Sequence, residues 1–270
     1  MESVRAAAAR VLLAASPAEK QAAARAAHEA AAAGRLDHRA PGPLMPERPA
    51  RPVRPVLLPP SAMPKRGRAG SPRARFALLH ALAHIELNAI DLAADIAGRF
   101  GHLMPPAFAA EWLRIAAEEA THFGLLQALL EESGGSYGDL PAHDGLWQAA
   151  SATAHDLAAR LAVVPQVLEA RGLDVTPAMI ARFEAAGDGR AAAVLARILE
   201  DEVGHVAAGN RWFRHVVGES GADPAARFRD LVRAHFRGAL KPPFNGSARA
   251  EAGLATDWYL PLCPPQRPPA

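Results

Sequence analysis

Apolar residues recur every three or four positions through most of the chain after residue 70, which is the spacing of one buried face of an α-helix. Prolines that suit first helical turns and glycines that suit helix ends mark the borders of these segments. The pattern predicts four long helices, which we name helices A to D: residues 71 to about 98 or 101, 105 to about 134, about 147 to 171, and 189 to about 217.

Shorter helices are predicted around helix D. One begins at Thr176 and Pro177, after Gly172 has ended helix C, and another begins at Asp223 and Pro224. No stretch of four or more residues alternates between apolar and polar as a half-buried strand would. The sequence therefore predicts an all-α protein.

Three other segments of the chain lie before and after these helices. In the alanine-rich start, Ser16, Pro17 and Glu19 form an N-cap, a first-turn proline and a capping-box acid, which predict a helical hairpin. Nine prolines among residues 41–64 exclude regular structure and predict either a linker or an extended strap laid over the surface. We predict four parts: an N-terminal helical hairpin (1–40), a proline-rich basic strap or linker (41–70), a helical bundle (71–240) and an irregular C-terminal tail (241–270).

Composition narrows the class of protein. The chain has 270 residues, 50% of them hydrophobic, and a formal net charge of +2. Charged residues interrupt every alanine-rich stretch, so we expect neither a membrane span nor an export signal. The single cysteine, Cys263, cannot form an internal disulfide, and a reducing, cytoplasmic location is the simplest expectation.

A basic segment crosses the boundary between the strap and helix A. Its eight cationic residues are Arg48, Arg51, Arg54, Lys65, Arg66, Arg68, Arg73 and Arg75. These residues could bind an anionic partner. The segment lacks the aromatic residues that stack on nucleic-acid bases, so a solvated basic linker is the simpler interpretation.

Helices A to D carry glutamates and histidines in a repeated order. Helix A contains one glutamate, helix B a Glu-x-x-His motif, helix C one glutamate and helix D a second Glu-x-x-His motif. The six residues are Glu86, Glu119, His122, Glu169, Glu202 and His205. Each residue of the first half lies 83 positions before its counterpart in the second, and the same offset relates Asp91 to Asp174. The pattern indicates a duplicated helical pair.

Helical geometry places these groups in the interior. Glu119 and His122 share a face with Trp112, Ile115 and Leu126. Carboxylates that face a core cost several kcal/mol unless something neutralises them. Four ionised glutamates carry four negative charges, which two divalent cations balance. Mixed carboxylate and imidazole ligation suits iron or manganese, and helical bundles with this order of ligands hold di-iron or di-manganese centres.

Other ionisable residues near the six are interpreted differently. Glu118 and Asp201, one position before a ligand, are predicted to face sideways or outward. Asp91 and Asp174 could hold a proton of a ligating histidine, or they could be plain surface acids. Three histidines have no counterpart in the repeat and are interpreted as core or surface residues rather than ligands: His80, His84 and His155.

The motifs around these residues resemble a known family. They are SPRARFALLHALAHIELNAIDLAAD, EEATHFGLLQALL, YGDLPAHDGLW, RLAVVPQVLEARGLDVTP, EDEVGHVAAGNRWF and PPFNGSAR. Together they resemble the ferritin-like family catalogued as domain of unknown function 455, which is distantly similar to the tRNA hydroxylase branch of ferritin-like di-iron proteins. The likeness implies a ferritin-like four-helix bundle over residues 71–240, with the hairpin before it and one helix after it. All six ligand positions match the expected pattern.

Three functions are compatible with these patterns. The first is an oxygen-dependent di-iron oxidoreductase that hydroxylates or oxidises an organic substrate, either a small molecule or a tRNA-like one. The second is metal handling, such as ferroxidase activity or storage. The third is a metal-free helical adaptor that binds an anionic partner through the basic segment.

Overall fold

The computed structural model describes residues 1–64, 71–219 and 221–264. Three of the basic residues named above, Lys65, Arg66 and Arg68, lie outside the described residues. The chain divides into two compact units, Met1–Ser151 and Ala152–Ala270.

Helices dominate the described residues, as the all-α prediction requires. They are α1 (Val4–Leu13), α2 (Pro17–Ala32), α3 (Pro72–Phe100), α4 (Pro106–Glu132), α5 (Gly145–Ala152), α6 (Leu157–Val163), α7 (Ala170–Ala185), α8 (Gly189–Gly218), α9 (Pro224–His235), α10 (Gly246–Glu251) and α11 (Thr256–Tyr259). A π-helical turn, Val164–Glu169, joins α6 to α7, and short 3-10 turns occupy Pro60–Ala62, Gly101–Leu103 and Leu260–Leu262. The strands β1 (Glu2–Ser3) and β2 (Leu36–Asp37) form one short parallel pair.

In the first unit, α3 and α4 form a helical hairpin that the N-terminal helices cover. Helix α1 packs on α3, and α2 packs on α4. Small residues permit close approach, because a Cβ atom added at Gly98 would lie 2.7 Å from the Cβ of Ala8. The predicted capping box is confirmed: Ser16 Oγ accepts a hydrogen bond from the Glu19 amide at 3.2 Å, and the Glu19 carboxylate accepts one from the Ser16 amide at 3.1 Å.

The proline-rich segment is a strap and not a free linker. Its backbone bonds to the folded helices at several points: the Ala50 amide donates to the Leu12 carbonyl at 2.8 Å, and the indole of Trp147 donates to the Glu47 carbonyl at 3.1 Å. Two of its arginines form ion pairs inside the first unit, Arg48 with Asp144 and Arg51 with Asp91. Part of the positive charge of the segment is therefore neutralised by the protein itself.

Helix α3 passes a length and composition test for a membrane span when its continuation to Leu103 is included. Two thirds of that apolar window, 67%, is buried inside the protein. A core helix of a soluble protein has the same properties, and the burial is consistent with that role.

Two of the predicted helix boundaries were wrong. The helix predicted from about 147 to 171 is interrupted between α5 and α6, where Asp156 caps α6. It then continues through Gly172 and through Pro177, which lies inside α7, so Gly172 does not end it and Pro177 does not begin a separate helix. This helical run, residues 157–185, packs on α8.

Side-chain amides donate the hydrogen bonds that the two prolines of this run cannot donate. A proline lacks the N–H that would bond the carbonyl four residues earlier. For Pro165 that carbonyl belongs to Leu161, which accepts from the Gln166 side-chain amide at 3.1 Å. For Pro177 it belongs to Leu173, which accepts from the Asn245 side chain at 3.2 Å.

The tail predicted as irregular also differs from the structure. It contains two short helices, α10 and α11, and α10 packs on α7 and α8. Asn245 caps α10 by accepting from the Ala248 amide at 3.2 Å. The PPFNGSAR motif thus serves as a helix cap and an anchor on α7.

Candidate metal centre

Three predicted ligands meet in the first unit. Glu86 lies on α3, and Glu119 and His122 lie one helical turn apart on α4. The ligand atoms of these three side chains all lie within 4.8 Å of one another. His122 Nδ1 is 3.2 Å from Glu119 Oε2 and 3.3 Å from Glu86 Oε2. This buried cluster of two carboxylates and one imidazole can hold a metal ion.

The sequence folds this way because the ligands interrupt an apolar stripe. Trp112, Ile115 and Leu126 of α4 are completely buried, and Glu119 is buried with them at 0% exposure. Spacings of three, four and seven residues keep all of these side chains on one helix face. Water is therefore excluded from the carboxylates by the same packing that stabilises the hairpin.

The electrostatics of the cluster favour a positive charge. Burial alone would lower the pKa of His122, but hydrogen bonds to Glu119 and Glu86, together with their negative charges, raise it to about 11. An environment that retains a proton on a buried imidazole so strongly has an excess of negative charge. A divalent cation satisfies the same excess, so the donor set fits a metal.

The second unit repeats part of this arrangement. Glu202 and His205 lie one turn apart on α8 and are buried, with His205 Nδ1 3.7 Å from Glu202 Oε1. Glu169 is the last residue of the π-helical turn and is only partly buried. Each unit therefore holds its own Glu-x-x-His pair in its interior.

The π-helical turn sets the position of Glu169. Pro165 occupies the turn, and its ring lies against Gly209 of α8, where an added Cβ would be 2.5 Å from the ring. Gln166 is fully buried and accepts a hydrogen bond from Asn210 at 3.0 Å. Wide turns of this type insert one extra residue into a helix and change which side chains face its neighbour.

The acids beside the ligands face sideways or outward on their own helices, as predicted. Glu118 pairs with Arg114, and Asp201 pairs with Arg197, in each case four residues apart on the same helix. Both acids are partly exposed. The two pairs also lie 83 residues apart, so the repeat includes these flanking pairs as well as the ligands.

The prediction for Asp91 and Asp174 was wrong in both of its forms. Neither residue holds a histidine and neither is a surface acid, because both side chains are fully buried in ion pairs. Asp91 accepts from Lys20 at 2.6 Å and from Arg51. Burial raises the pKa of Asp91, and the two cations oppose that rise. Asp174 accepts from Arg249 at 2.7 and 2.8 Å.

The cations of these pairs were missed by the sequence interpretation. Lys20 lies in the alanine-rich start, 71 residues before its partner, and Arg249 lies in the tail, 75 residues after its partner. Arg249 also lies over the rings of Phe244 and Tyr259, at 5.0 and 4.5 Å from their centroids. The 83-residue offset that relates Asp91 to Asp174 gives no signal for these cations, because Lys20 and Arg249 lie before and after the repeated helices.

The remaining histidines are core and surface residues, as interpreted. His80 and His84 are buried on α3 and hold the loop that follows α4. Tyr137 donates its hydroxyl hydrogen to His84 Nδ1 at 2.8 Å, and His84 Nε2 donates to the His143 carbonyl at 3.1 Å. Burial lowers the pKa of His84 to about 4. His155 is exposed.

These neutral histidines predict a pH-dependent stability. Burial lowers the pKa of His80, whose Nε2 atom accepts hydrogen bonds from the loop backbone. Below pH 6.5 the unfolded chain binds protons that the folded protein does not, so the free energy of unfolding falls as the pH drops. We expect urea unfolding midpoints to decrease from pH 7 to pH 5, and the His80→Gln variant to show a smaller decrease. An equal decrease in both proteins would contradict this assignment.

Comparison with known proteins identifies the family of this chain. The sequence model of a family described as "Protein of unknown function (DUF455)" matches residues 13–260. The chain belongs to this family. A similar protein from Haemophilus influenzae, described as uncharacterized, is 43% identical over 213 residues, which cover 76% of this chain and 74% of that one. No solved structure matches the chain. Membership in the DUF455 family names no reaction.

Proposed function

We propose that this protein is a ferritin-like dinuclear metal protein, and that its six ligands are Glu86, Glu119, His122, Glu169, Glu202 and His205. The observation that carries the proposal is the buried cluster of Glu86, Glu119 and His122, whose ligand atoms lie within 4.8 Å of one another. The repeat supports the other three ligands, because the residues 83 positions later are of the same types and have the same Glu-x-x-His spacing.

Charge balance supports two ions rather than one. Four ionised glutamates and two neutral histidines carry a total charge of −4, and two divalent cations bring it to zero. One divalent ion would leave two buried negative charges without compensation, which costs several kcal/mol per charge. We propose iron for both positions, with manganese as the alternative, because carboxylate and imidazole oxygen and nitrogen donors suit both metals.

The proposed architecture is a four-helix bundle built from two helical pairs. The pairs are α3 with α4, and the run of residues 157–185 with α8, and each pair packs within its own unit. In ferritin-like bundles, single glutamates from two helices and Glu-x-x-His motifs from the other two project inward around the metals. The order of residues along this chain is the same.

We infer an oxygen-dependent oxidoreductase with an organic substrate. When bound, a pair of ferrous ions would supply the electrons that reduce dioxygen during hydroxylation or oxidation of that substrate. The carboxylates and imidazoles of the chain would bind the ions, and Trp112, Ile115 and Leu126 would exclude water from them. A tRNA-like substrate stays a prediction, as does an anionic partner at the basic segment. We place the protein in the cytoplasm, where its single thiol would stay reduced.

Elemental analysis tests the proposal directly. Protein produced with added iron is expected to contain about two iron or manganese ions per chain, and the reduced iron form is expected to change its absorption spectrum on exposure to oxygen. A chain without bound metal would overturn the proposal. Repeated iron oxidation with mineral formation would instead identify a metal-handling protein. Mass spectrometry of co-purifying small molecules and RNA would identify the substrate class.

A further inference from the structure

A cavity of about 360 Å³ lies between α3, the strap and the loop after α4, all within the first unit. Its walls are largely apolar and are formed by Met63, Phe76, Ala77, Ala81, Leu140 and Pro141. The polar residues that line it are Arg73, His80 and His143. This volume lies at the lower end of the range for small-molecule sites, which are typically apolar with a few polar groups.

His80 presents a hydrogen-bond donor on the lining of this cavity. Its Nε2 atom accepts from the amides of Gly138 at 2.9 Å and Leu140 at 3.4 Å, so that nitrogen carries the lone pair. The ring hydrogen must then be on Nδ1, which has no hydrogen-bond partner among the described residues. The ring is only 1% exposed and is fixed by these two backbone bonds, so a ligand in the cavity would meet His80 in this orientation.

The charge of the cavity lining is positive. Arg73 lies in the first turn of α3 and forms no ion pair with a described residue. No aspartate or glutamate is among the lining residues. An arginine and a neutral imidazole donor together suit an anionic acceptor, and carboxylates are the anions that arginine binds with two parallel hydrogen bonds.

We propose that this cavity binds a small organic carboxylate with an apolar chain. The carboxylate would accept hydrogen bonds from Arg73 and from His80 Nδ1, and the apolar chain would lie against Phe76, Met63 and Leu140. Octanoate has this chemistry and a size that the cavity can hold.

The cavity is separate from the metal cluster. His80 and Glu86 are six positions apart on α3, which places them about 120° apart around the helix axis at 100° per residue. The cavity lining contains none of the six proposed ligands. The proposal therefore stands whether or not the protein binds metal.

Isothermal titration calorimetry with octanoate tests the site. We expect one octanoate per chain to bind to the full-length protein, and 1-octanol to bind at least tenfold more weakly. Arg73→Gln is expected to weaken octanoate binding about tenfold or more, as loss of a charge-assisted hydrogen bond predicts. Arg182→Gln is the matched control, because Arg182 is an exposed helical arginine in the second unit, and it should bind octanoate as the unchanged protein does.

A second measurement locates the ligand. In protein labelled with ¹⁵N at histidine, octanoate is expected to shift the Nδ1 signal of His80, and Ala77→Phe, which fills the cavity, is expected to abolish that shift. Circular dichroism checks that each variant is folded. The proposal is overturned if octanoate fails to bind, if 1-octanol binds equally well, or if Arg73→Gln and Arg182→Gln bind octanoate alike.

Discussion

Glu119→Gln is expected to lose bound metal, with an affinity decrease of at least about 100-fold. Residues that merely orient a ligand typically change metal affinity 10- to 100-fold, and a residue that supplies a ligand atom should do no less. Glu119 is 0% exposed and contacts His122. Because this position is closed to solvent, a carboxylate from solution cannot take the place of the Glu119 side chain. Glutamine keeps the shape of the side chain and removes the charge. The effect therefore reports on the carboxylate rather than on packing.

The repeat supplies the second variant and both controls. Glu202→Gln should act as Glu119→Gln does if both motifs hold metal. Glu118→Gln and Asp201→Asn remove a negative charge one position earlier on the same helices, where the acids pair with arginines and are partly exposed. We expect these control variants to retain the full metal content. Metal per chain is measured by elemental analysis after dialysis.

Stability measurements separate the metal centre from a metal-free interior. Added ferrous or manganous ion should raise the melting temperature of the unchanged protein, since a ligand that binds only the folded state stabilises it. Glu119→Gln should lose this response, because the variant no longer supplies the buried carboxylate to the ion. If Glu119→Gln and Glu118→Gln retain equal metal content and equal responses, Glu119 is not a ligand.

The ligand pattern was predictable because it is local and repeated. The spacing of Glu119 and His122 fixes their shared helix face, and the 83-residue offset separates this motif from chance occurrences of Glu-x-x-His. Helix ends were also predictable where glycine adopts a positive φ, as at Gly134 after α4 and Gly187 after α7.

The errors arose where distant residues override local preference. Pro177 is a helix breaker by its own chemistry, yet Asn245 supplies the hydrogen bond that the proline cannot donate. Asp91 and Asp174 look like surface acids in a charged helix, and only Lys20 and Arg249, far along the chain, make their burial tolerable. These pairings depend on tertiary contacts that periodicity does not report.

Breaking the Lys20–Asp91 pair is expected to cause the largest loss of stability in the first unit. Both side chains are 0% exposed, and Lys20 also donates to the Val11 carbonyl at 2.9 Å. Asp91→Leu leaves the buried ammonium group without its counter-charge, which typically costs about 3–5 kcal/mol. That loss is a large fraction of the 5–15 kcal/mol that stabilises a typical domain. Lys20→Met should cost less, because Arg51 still pairs with Asp91.

The double variant Lys20→Met with Asp91→Leu distinguishes a lost ion pair from lost packing. It removes both buried charges and leaves Arg51, whose side chain is 16% exposed and can turn toward water. We therefore expect urea unfolding to show most of the stability restored relative to Asp91→Leu, as apolar replacements of buried ion pairs often do. Asp201→Asn breaks a pair whose arginine is 63% exposed and should cost at most about 1 kcal/mol. If the double variant loses as much unfolding free energy as the two single variants added together, then lost packing, and not the uncompensated charge, determines the effect.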